Sequence, residues 1–316
     1  MTRTDASAGP LTFDAQSVHR LIGPADAVRA LRDAVAAGAS EDDAPRTMLT
    51  GPEGTGTLAV MPSVDAQWLG IKVLSILPGA TQWRQAIVGT YLLVDPHDGQ
   101  VHAMIDGTAL TEVRTSAVTA LALEYLAAPD AARVTVLGTG VQARAHLRTL
   151  IGLGRYSEFT VVGRDPGKAR ALADEFAEAD VRVGELEPSI RDADVIACCT
   201  SATAPLFDGS LVAPTAAVAA MGTYKLTARE LDDTIMGRAA IYVESLETAL
   251  TEAGDIHYAI ETGSVSPGSL RTLAQLVAPG EHIDVTRPRV FKSCGMSWED
   301  LAVASELVRQ YAHAGD

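Results

Sequence analysis

Three cysteines in 316 residues, two of them adjacent at Cys198 and Cys199, are too few for a disulfide framework. The seven histidines show no paired ligand spacing, so no metal site is expected. No apolar run reaches the roughly 20 residues that a membrane-crossing helix needs. Residues 1–20 lack the basic start and apolar stretch of a secretory leader. Basic residues are outnumbered, 25 Lys and Arg against 40 Asp and Glu, for a formal net charge of -15. A field of that sign repels phosphate backbones, so neither nucleic acid nor a membrane is an expected partner. A reducing, cytoplasmic location fits these absences. With 47% hydrophobic and 21% charged residues the chain can bury an ordinary core, in one large domain or two smaller ones.

Two regimes follow each other along the chain. From about 130 to 295, short β-rich runs alternate with helical stretches. The runs are Arg133–Leu137, Glu158–Val162, Asp194–Cys199, Ala216–Met221 and Ala240–Glu244. The helices are expected at Val141–Leu150, Lys168–Glu178, Ala228–Arg238 and Leu246–Glu252. Apolar strands separated by helices predict an α/β fold, a parallel sheet covered on both faces. The earlier part predicts a helix near Asp26–Ala37 and then strands at Gly56–Met61, Leu69–Ile76, Ile87–Val94 and Gln100–Ile105. The turn Asp95-Pro96-His97-Asp98-Gly99 makes the last two a hairpin. A helix over Thr115–Ala127 bridges the regimes. A last helix, Trp298–His313, closes the chain, with Ser297 as N-cap and Asp300 three residues on.

The strongest local signal is RVTVLGTGVQARAHLRTL, residues 133–150. A β-rich run feeds a glycine turn, Gly138-Thr139-Gly140-Val141-Gln142-Ala143, that opens a helix. Gly138 permits the tight turn, Gly140 lets a pyrophosphate approach the backbone, and Ala143 takes the third glycine's place. The free N–H groups of the helix start then face the phosphates. Between a strand and a helix, this is the signature of a Rossmann domain that binds a nicotinamide dinucleotide. NAD enzymes carry Asp or Glu at the end of the second strand, for the ribose hydroxyls. Here that strand ends Val162-Gly163-Arg164-Asp165. Gly163 stands at the acidic position, and Arg164 offers a guanidinium to a 2′-phosphate. NADP(H) is therefore favoured, with NAD(H) as the alternative should Asp165 serve as the ribose acid.

A second constellation precedes this unit: Arg46, Lys72, and Arg114 with Thr115 and Ser116. Arg114 opens the bridging helix at the seam between the regimes, where clefts form. Lys72 lies inside the apolar run Leu69-Gly70-Ile71-Lys72-Val73-Leu74, a poor place for an unpaired ammonium. A single cation is ordinarily a surface residue, but a buried lysine invites a functional reading. Cys198-Cys199 reads as core, and Trp68, Trp83 and Trp298 as packing. His97 and His102 read as exposed, and Glu112 as a helix-start charge. Tyr224 reads either as packing or as a hydrogen-bond or proton donor.

Over nearly its whole length the sequence resembles the ornithine cyclodeaminase/μ-crystallin family. The matching stretches are Val60-Met61-Pro62, Leu69-Gly70-Ile71-Lys72, and Asp106-Gly107-Thr108-Ala109-Leu110-Thr111 with Arg114-Thr115-Ser116-Ala117. The 138–143 turn, Glu230-Leu231-Asp232 and Phe291-Lys292-Ser293-Cys294-Gly295 complete the set. The resemblance implies a homodimer built by the N-terminal domain, with the last helix returning to it. It implies that Arg46, Lys72 and Arg114 surround a substrate carboxylate. It also implies that the nicotinamide lies near Thr200-Ser201, Met221-Gly222 and Ser293. The expected domains are residues 1–113 with 297–316, for substrate and dimerisation, and 114–296, for the dinucleotide, around a cleft.

Departures from the family pattern select the reaction. The cyclodeaminases carry a glutamate just before the Met-Pro pair, where this chain has Ala59. They carry a catalytic aspartate shortly after the glycine equivalent to Gly222, where this chain has Tyr224. With both carboxylates missing, the pattern is closer to the ketimine reductases. The expected activity is NAD(P)H-dependent reduction of a small cyclic α-imino acid to an L-amino acid such as proline or pipecolate. Arg46 and Arg114 would clamp the carboxylate, and Lys72 would hold it or protonate the imine. The alternatives are a cyclodeaminase using NAD+ catalytically, an alanine dehydrogenase-like enzyme, and a ligand-binding protein with a vestigial site.

Overall fold

The computed structural model describes residues 9–39, 44–52, 55–77 and 87–314. Trp83 lies outside them. In chain order the elements begin β1 (Leu11–Phe13), α1 (Ala15–Leu21), α2 (Pro24–Ala36), β2 (Thr47–Thr50), β3 (Thr57–Val64), β4 (Leu69–Ile76), β5 (Ile87–Val94), β6 (Val101–Asp106) and α3 (Gly107–Leu126). They continue β7 (Arg133–Leu137), α4 (Val141–Gly152), β8 (Glu158–Val162), α5 (Pro166–Asp174), β9 (Val181–Val183), α6 (Leu186–Asp192), β10 (Val195–Cys198) and β11 (Ala217–Ala220). The last are α7 (Asp233–Arg238), β12 (Ala240–Val243), α8 (Leu246–Glu252), α9 (Gly254–Glu261), β13 (Arg271–Thr272), α10 (Leu273–Val277), β14 (Arg289–Lys292) and α11 (Ser297–Ala314). The chain divides into two compact units: Met1–Ala34 with Asp42–Arg114 and Met296–Asp316, and Val35–Glu41 with Thr115–Gly295.

The first unit holds a six-stranded sheet in the order β1-β6-β5-β4-β3-β2. β1 runs parallel to β6, and all other neighbours are antiparallel. Because side chains alternate along a strand, register decides what shares a face. Met61, Lys72 and Tyr91 lie opposite one another across β3, β4 and β5, and Ile105 follows on β6. All four are buried, and α11 packs against these three strands. Gly70 permits that packing: a Cβ there would meet the Tyr91 hydroxyl at 1.9 Å and Leu301 of α11 at 2.9 Å. On the opposite face Leu49, Leu58, Leu69, Val88 and Met104 are exposed.

The second unit is an eight-stranded parallel sheet in the order β13-β12-β14-β11-β10-β7-β8-β9. From β7 the chain winds outward through β8 to β9, then returns to the other side of β7 with β10. That reversal is the topological switch point of a Rossmann-type fold, and its ligands lie at the carboxyl ends of the strands.

Four expectations need correction. The bridging helix starts at Gly107, not Thr115, because the Asp106 carboxylate accepts from the backbone N–H groups of Thr108 and Ala109 and caps it there. Arg114 therefore sits within α3 rather than opening it. The helix expected over Ala228–Arg238 forms only from Asp233, after Asp232 caps the N–H of Ile235. β14 was not expected at all: Arg-Val-Phe-Lys reads as polar at both ends, yet all four side chains are buried between β11 and β12. His102 is half-buried, with its ring 4.8 Å from that of the buried Trp68, rather than exposed.

Candidate active site

At the carboxyl end of β7, Gly138 has φ +124° and a Cβ there would meet the Cys199 carbonyl oxygen at 2.4 Å. Only glycine fits where the turn after β7 crosses the end of β10. Gly140 begins α4 with no side-chain cap, and a Cβ built on it meets nothing within 4 Å. The start of α4 is thus uncapped by a side chain and open beside Gly140, as a pyrophosphate site requires. Ala143 is buried where α4 meets the sheet. Gln142 Oε1, from the first turn of α4, and Thr115 Oγ1, from α3, are buried with no hydrogen-bond partner among the described residues.

At the end of β8, a Cβ on Gly163 would meet Thr139 Cγ2 at 2.5 Å, so the acid of NAD enzymes has no room without a shift of Thr139. Arg164 is exposed. Asp165 is committed elsewhere: its Oδ1 accepts from the N–H groups of Gly167 and Lys168, capping α5.

The ends of β10 and β11 are tied by a residue not singled out by spacing. Glu230 is fully buried. Its Oε1 accepts from Thr200 N at 2.9 Å and Thr200 Oγ1 at 2.7 Å, and its Oε2 from Gly222 N at 2.8 Å. Burial pushes its carboxyl up to about 7, against the opposing pull of Lys292 and these donors. Asp255 backs this loop, accepting from Glu230 N, Leu231 N and Thr223 Oγ1. Lys292 completes the network: Nζ donates to Thr223 O at 2.7 Å and Thr223 Oγ1 at 3.2 Å, and lies 3.0 Å from Asp255 Oδ2. After β14, Glu244 accepts from Ser293 Oγ and from the N–H groups of Cys294 and Gly295. Ser201 is exposed, while Met221 and Tyr224 are half-buried. Of these anchors, only Glu230 and Lys292 fell inside stretches quoted for the family resemblance. Glu244 and Asp255 carried no sequence signal.

In the first unit the structure brings Lys72 and Arg114 together. Lys72 is 1% exposed, and its Nζ lies 2.5 Å from Asp300 Oδ2 and 3.5 Å from Thr111 Oγ1. Arg114 Nη1 donates to Glu299 Oε2 at 2.6 Å, and its Nε lies 3.5 Å from Asp300 Oδ1. Both acids belong to the first turn of α11 and are fully buried. Asp300 was expected to support the helix cap; it faces the cations instead. An ammonium has three donors, so one N–H of Lys72 has no acceptor among the described residues. Burial pulls the ammonium down to about 8; Arg114 adds to that pull and Asp300 opposes it. Ala59, buried on the Lys72 face of the sheet, puts a methyl group where a carboxylate was sought. Arg46 is half-buried just ahead of β2. Glu112 lies 3.5 Å from His19 rather than acting as a bare helix-start charge.

The chain is similar to known proteins. The ketimine reductase mu-crystallin of Macropus fuliginosus is 34% identical over 268 residues, 83% of each chain. The Delta(1)-pyrroline-2-carboxylate reductase of Paracoccus denitrificans is 32% identical over 279 residues, covering 84% of this chain and 87% of that one. Among solved structures, the Thermococcus litoralis Delta(1)-pyrroline-2-carboxylate reductase in complex with NADH and L-proline superposes with a TM-score of 0.90. It is 25% identical and covers 96% of this chain and 98% of its own. A profile of the ornithine cyclodeaminase/mu-crystallin family matches residues 13–316, so this chain belongs to that family.

Proposed function

We propose that this protein is a nicotinamide-dependent reductase of small cyclic α-imino acids, of the Delta(1)-pyrroline-2-carboxylate type. The observation that carries the reading is Lys72: a fully buried ammonium, beside Arg114, with one hydrogen-bond donor unspent. Relatives with this activity by name support it. The residues present fit the cofactor. The uncapped start of α4, the open face of Gly140 and the orphaned Gln142 and Thr115 oxygens suit a dinucleotide. Residues 138–143 would hold the pyrophosphate. Thr200, Ser201, Met221, Gly222 and Ser293 would border the nicotinamide ring, with Glu230 and Glu244 holding those loops in place. The cofactor supplies the hydride.

The chain's own residues do the rest. Arg114, with Arg46, holds the substrate carboxylate and so fixes the C=N bond. Lys72 gives the imine nitrogen its proton and recovers one from solvent. Tyr224 remains a candidate proton donor from the dinucleotide unit. Alanine at 59 and tyrosine at 224 stand where the cyclodeaminases carry carboxylates, which favours reduction over cyclodeamination. Asp165 spent on its helix cap, and Arg164 exposed beside the tight Gly163, favour NADP(H) over NAD(H). The exposed apolar face bearing Leu49, Leu58, Leu69, Val88 and Met104 favours a homodimer through the first unit. Among the described residues no helix is long and apolar enough to cross a membrane.

The test is a panel followed by nicotinamide absorbance: Delta(1)-pyrroline-2-carboxylate with NADPH and with NADH, and ornithine with NAD+. Rapid imine reduction without ornithine turnover is expected. Steady release of proline and ammonia from ornithine would replace this reading with a cyclodeaminase.

A further inference from the structure

Acids in the first turn of a helix ordinarily face solvent, where they complement the helix dipole at little cost. Burying them is expensive unless each finds a cation. Glu299 and Asp300 are both fully buried, and each faces one of the two cations assigned to the substrate. Asp300 bridges them, with Oδ2 on Lys72 and Oδ1 toward Arg114. Two positive and two negative charges cancel, so the cations can stand ready without a ligand.

We propose that Asp300 is a positioning residue for imine reduction: from the first turn of α11 it holds the Lys72 ammonium in place and charged, while Glu299 orients the Arg114 fork. This rests on the reductase reading above. In the step served, the imine carbon gains a hydride from the reduced nicotinamide. The C=N electron pair moves to nitrogen, and nitrogen takes a proton from Lys72, which is left as a neutral amine until solvent reprotonates it. A simple clamp of α11 onto the sheet would not need the spare donor that Lys72 keeps.

The titratable and charged groups around Lys72 are Tyr91 from β5, Arg114 from α3, and Glu299 and Asp300 from α11. Glu299 and Asp300 strengthen the hold on the proton, whereas Arg114 and burial weaken it. Removing the Asp300 charge must therefore make Lys72 lose its proton at lower pH.

The experiment uses the full chain with Delta(1)-pyrroline-2-carboxylate and NADPH across pH. Asp300→Asn should move the falling alkaline limb of kcat down by about one pH unit, cutting kcat about fivefold at the wild-type midpoint and about tenfold well above it. Lowering the pH should restore kcat, and Asp300→Glu should keep the limb near its wild-type position. NADPH affinity, read by fluorescence titration, should not change. A folded Asp300→Asn protein with the wild-type limb would overturn the proposal. If that variant does not fold, Lys72→Met and Lys72→Met/Asp300→Leu are compared, since the second leaves neither charge buried alone. Equal kcat supports the proposal, because Asp300 then acts only through Lys72; a further fall in the double variant overturns it. Failure of the reductase reading looks different: wild type that reduces no imine, or Lys72→Met with wild-type kcat.

Discussion

The two units each bury a lysine beside an aspartate, and the two lysines are held in opposite ways. Lys292, in the dinucleotide unit, has an acceptor for each of its three donors; burial pulls its pKa down, but Asp255, Cys294 and Glu230 together more than offset that and raise it. Lys72 has a close acceptor in Asp300, a distant one in Thr111 and a third donor unspent, and burial wins to bring it to about 8. A saturated ammonium has nothing left to offer a ligand and serves the fold. An unsaturated one near neutrality can bind, and can lose a proton. Arg289 extends the first type: it is fully buried and donates to the carbonyls of Leu126, Thr215, Arg287, Val285 and Pro214.

The sharpest way to break this contrast is to remove each ammonium. Lys292→Met strands the Asp255 carboxylate in the core, and breaking a buried pair costs about 3–5 kcal/mol. Lys72→Met should cost less stability, because Arg114 still faces Asp300, but should lower kcat more than it raises KM. Denaturant unfolding and steady-state kinetics on both variants decide the matter. Equal stability losses with equal kinetic losses would erase the distinction.

Next in size is Arg114. Its planar fork suits a carboxylate in a way that an ammonium does not. Arg114→Lys should raise KM for the imino acid, and Arg114→Ala should raise it further, by about ten- to a hundredfold for the loss of a charged hydrogen bond of about 1.5–3 kcal/mol. Cofactor affinity should not follow. Normal KM in Arg114→Ala would place the substrate carboxylate elsewhere.

The two lysines also differ in pH dependence. The wild-type kcat should fall as pH rises through about 8, where Lys72 loses its proton. Because Arg114 lowers that value, Arg114→Ala should carry the limb upward. In stability the signs reverse between the pair. Lys72 binds its proton less tightly folded than unfolded, so its contribution rises as pH goes from 8 toward the ordinary 10.5. Lys292 binds its proton more tightly folded, so its contribution is full below 10.5 and fades as pH climbs through the raised value. Unfolding free energies measured across alkaline pH in the Lys72→Met and Lys292→Met backgrounds would separate the two slopes.

The smallest expected effect is at Arg164. Arg164→Ala should weaken NADPH binding a few-fold more than NADH binding, and the difference should shrink with salt, because the side chain is exposed. Equal losses for both cofactors would show that Arg164 does not read the 2′-phosphate.

What the sequence made legible was local or periodic. The strand-turn-helix at 133–150 announced the Rossmann unit because its glycines answer to backbone sterics that any such turn imposes, and β4 and β5 were bounded by their own alternation and turn chemistry. Lys72 stood out because an ammonium is anomalous inside an apolar run. Its partner did not, because Asp300 lies 228 residues away and reads as an ordinary first-turn acid. β14 was hidden for the same reason: Arg289 and Lys292 look solvent-facing until carbonyls and an aspartate from distant segments meet them. Asp165 was ambiguous until its carboxylate was seen capping α5. Polar residues satisfied by tertiary partners carry no periodic signal.

The most direct test compares wild type and Lys72→Met in oxidation of NADPH by Delta(1)-pyrroline-2-carboxylate, with proline measured as product. Rapid stoichiometric conversion by wild type, and a kcat lowered at least tenfold in a folded Lys72→Met protein that still binds NADPH, is the predicted result. A wild type that binds NADPH yet forms no proline, or a Lys72→Met protein as fast as wild type, would contradict it.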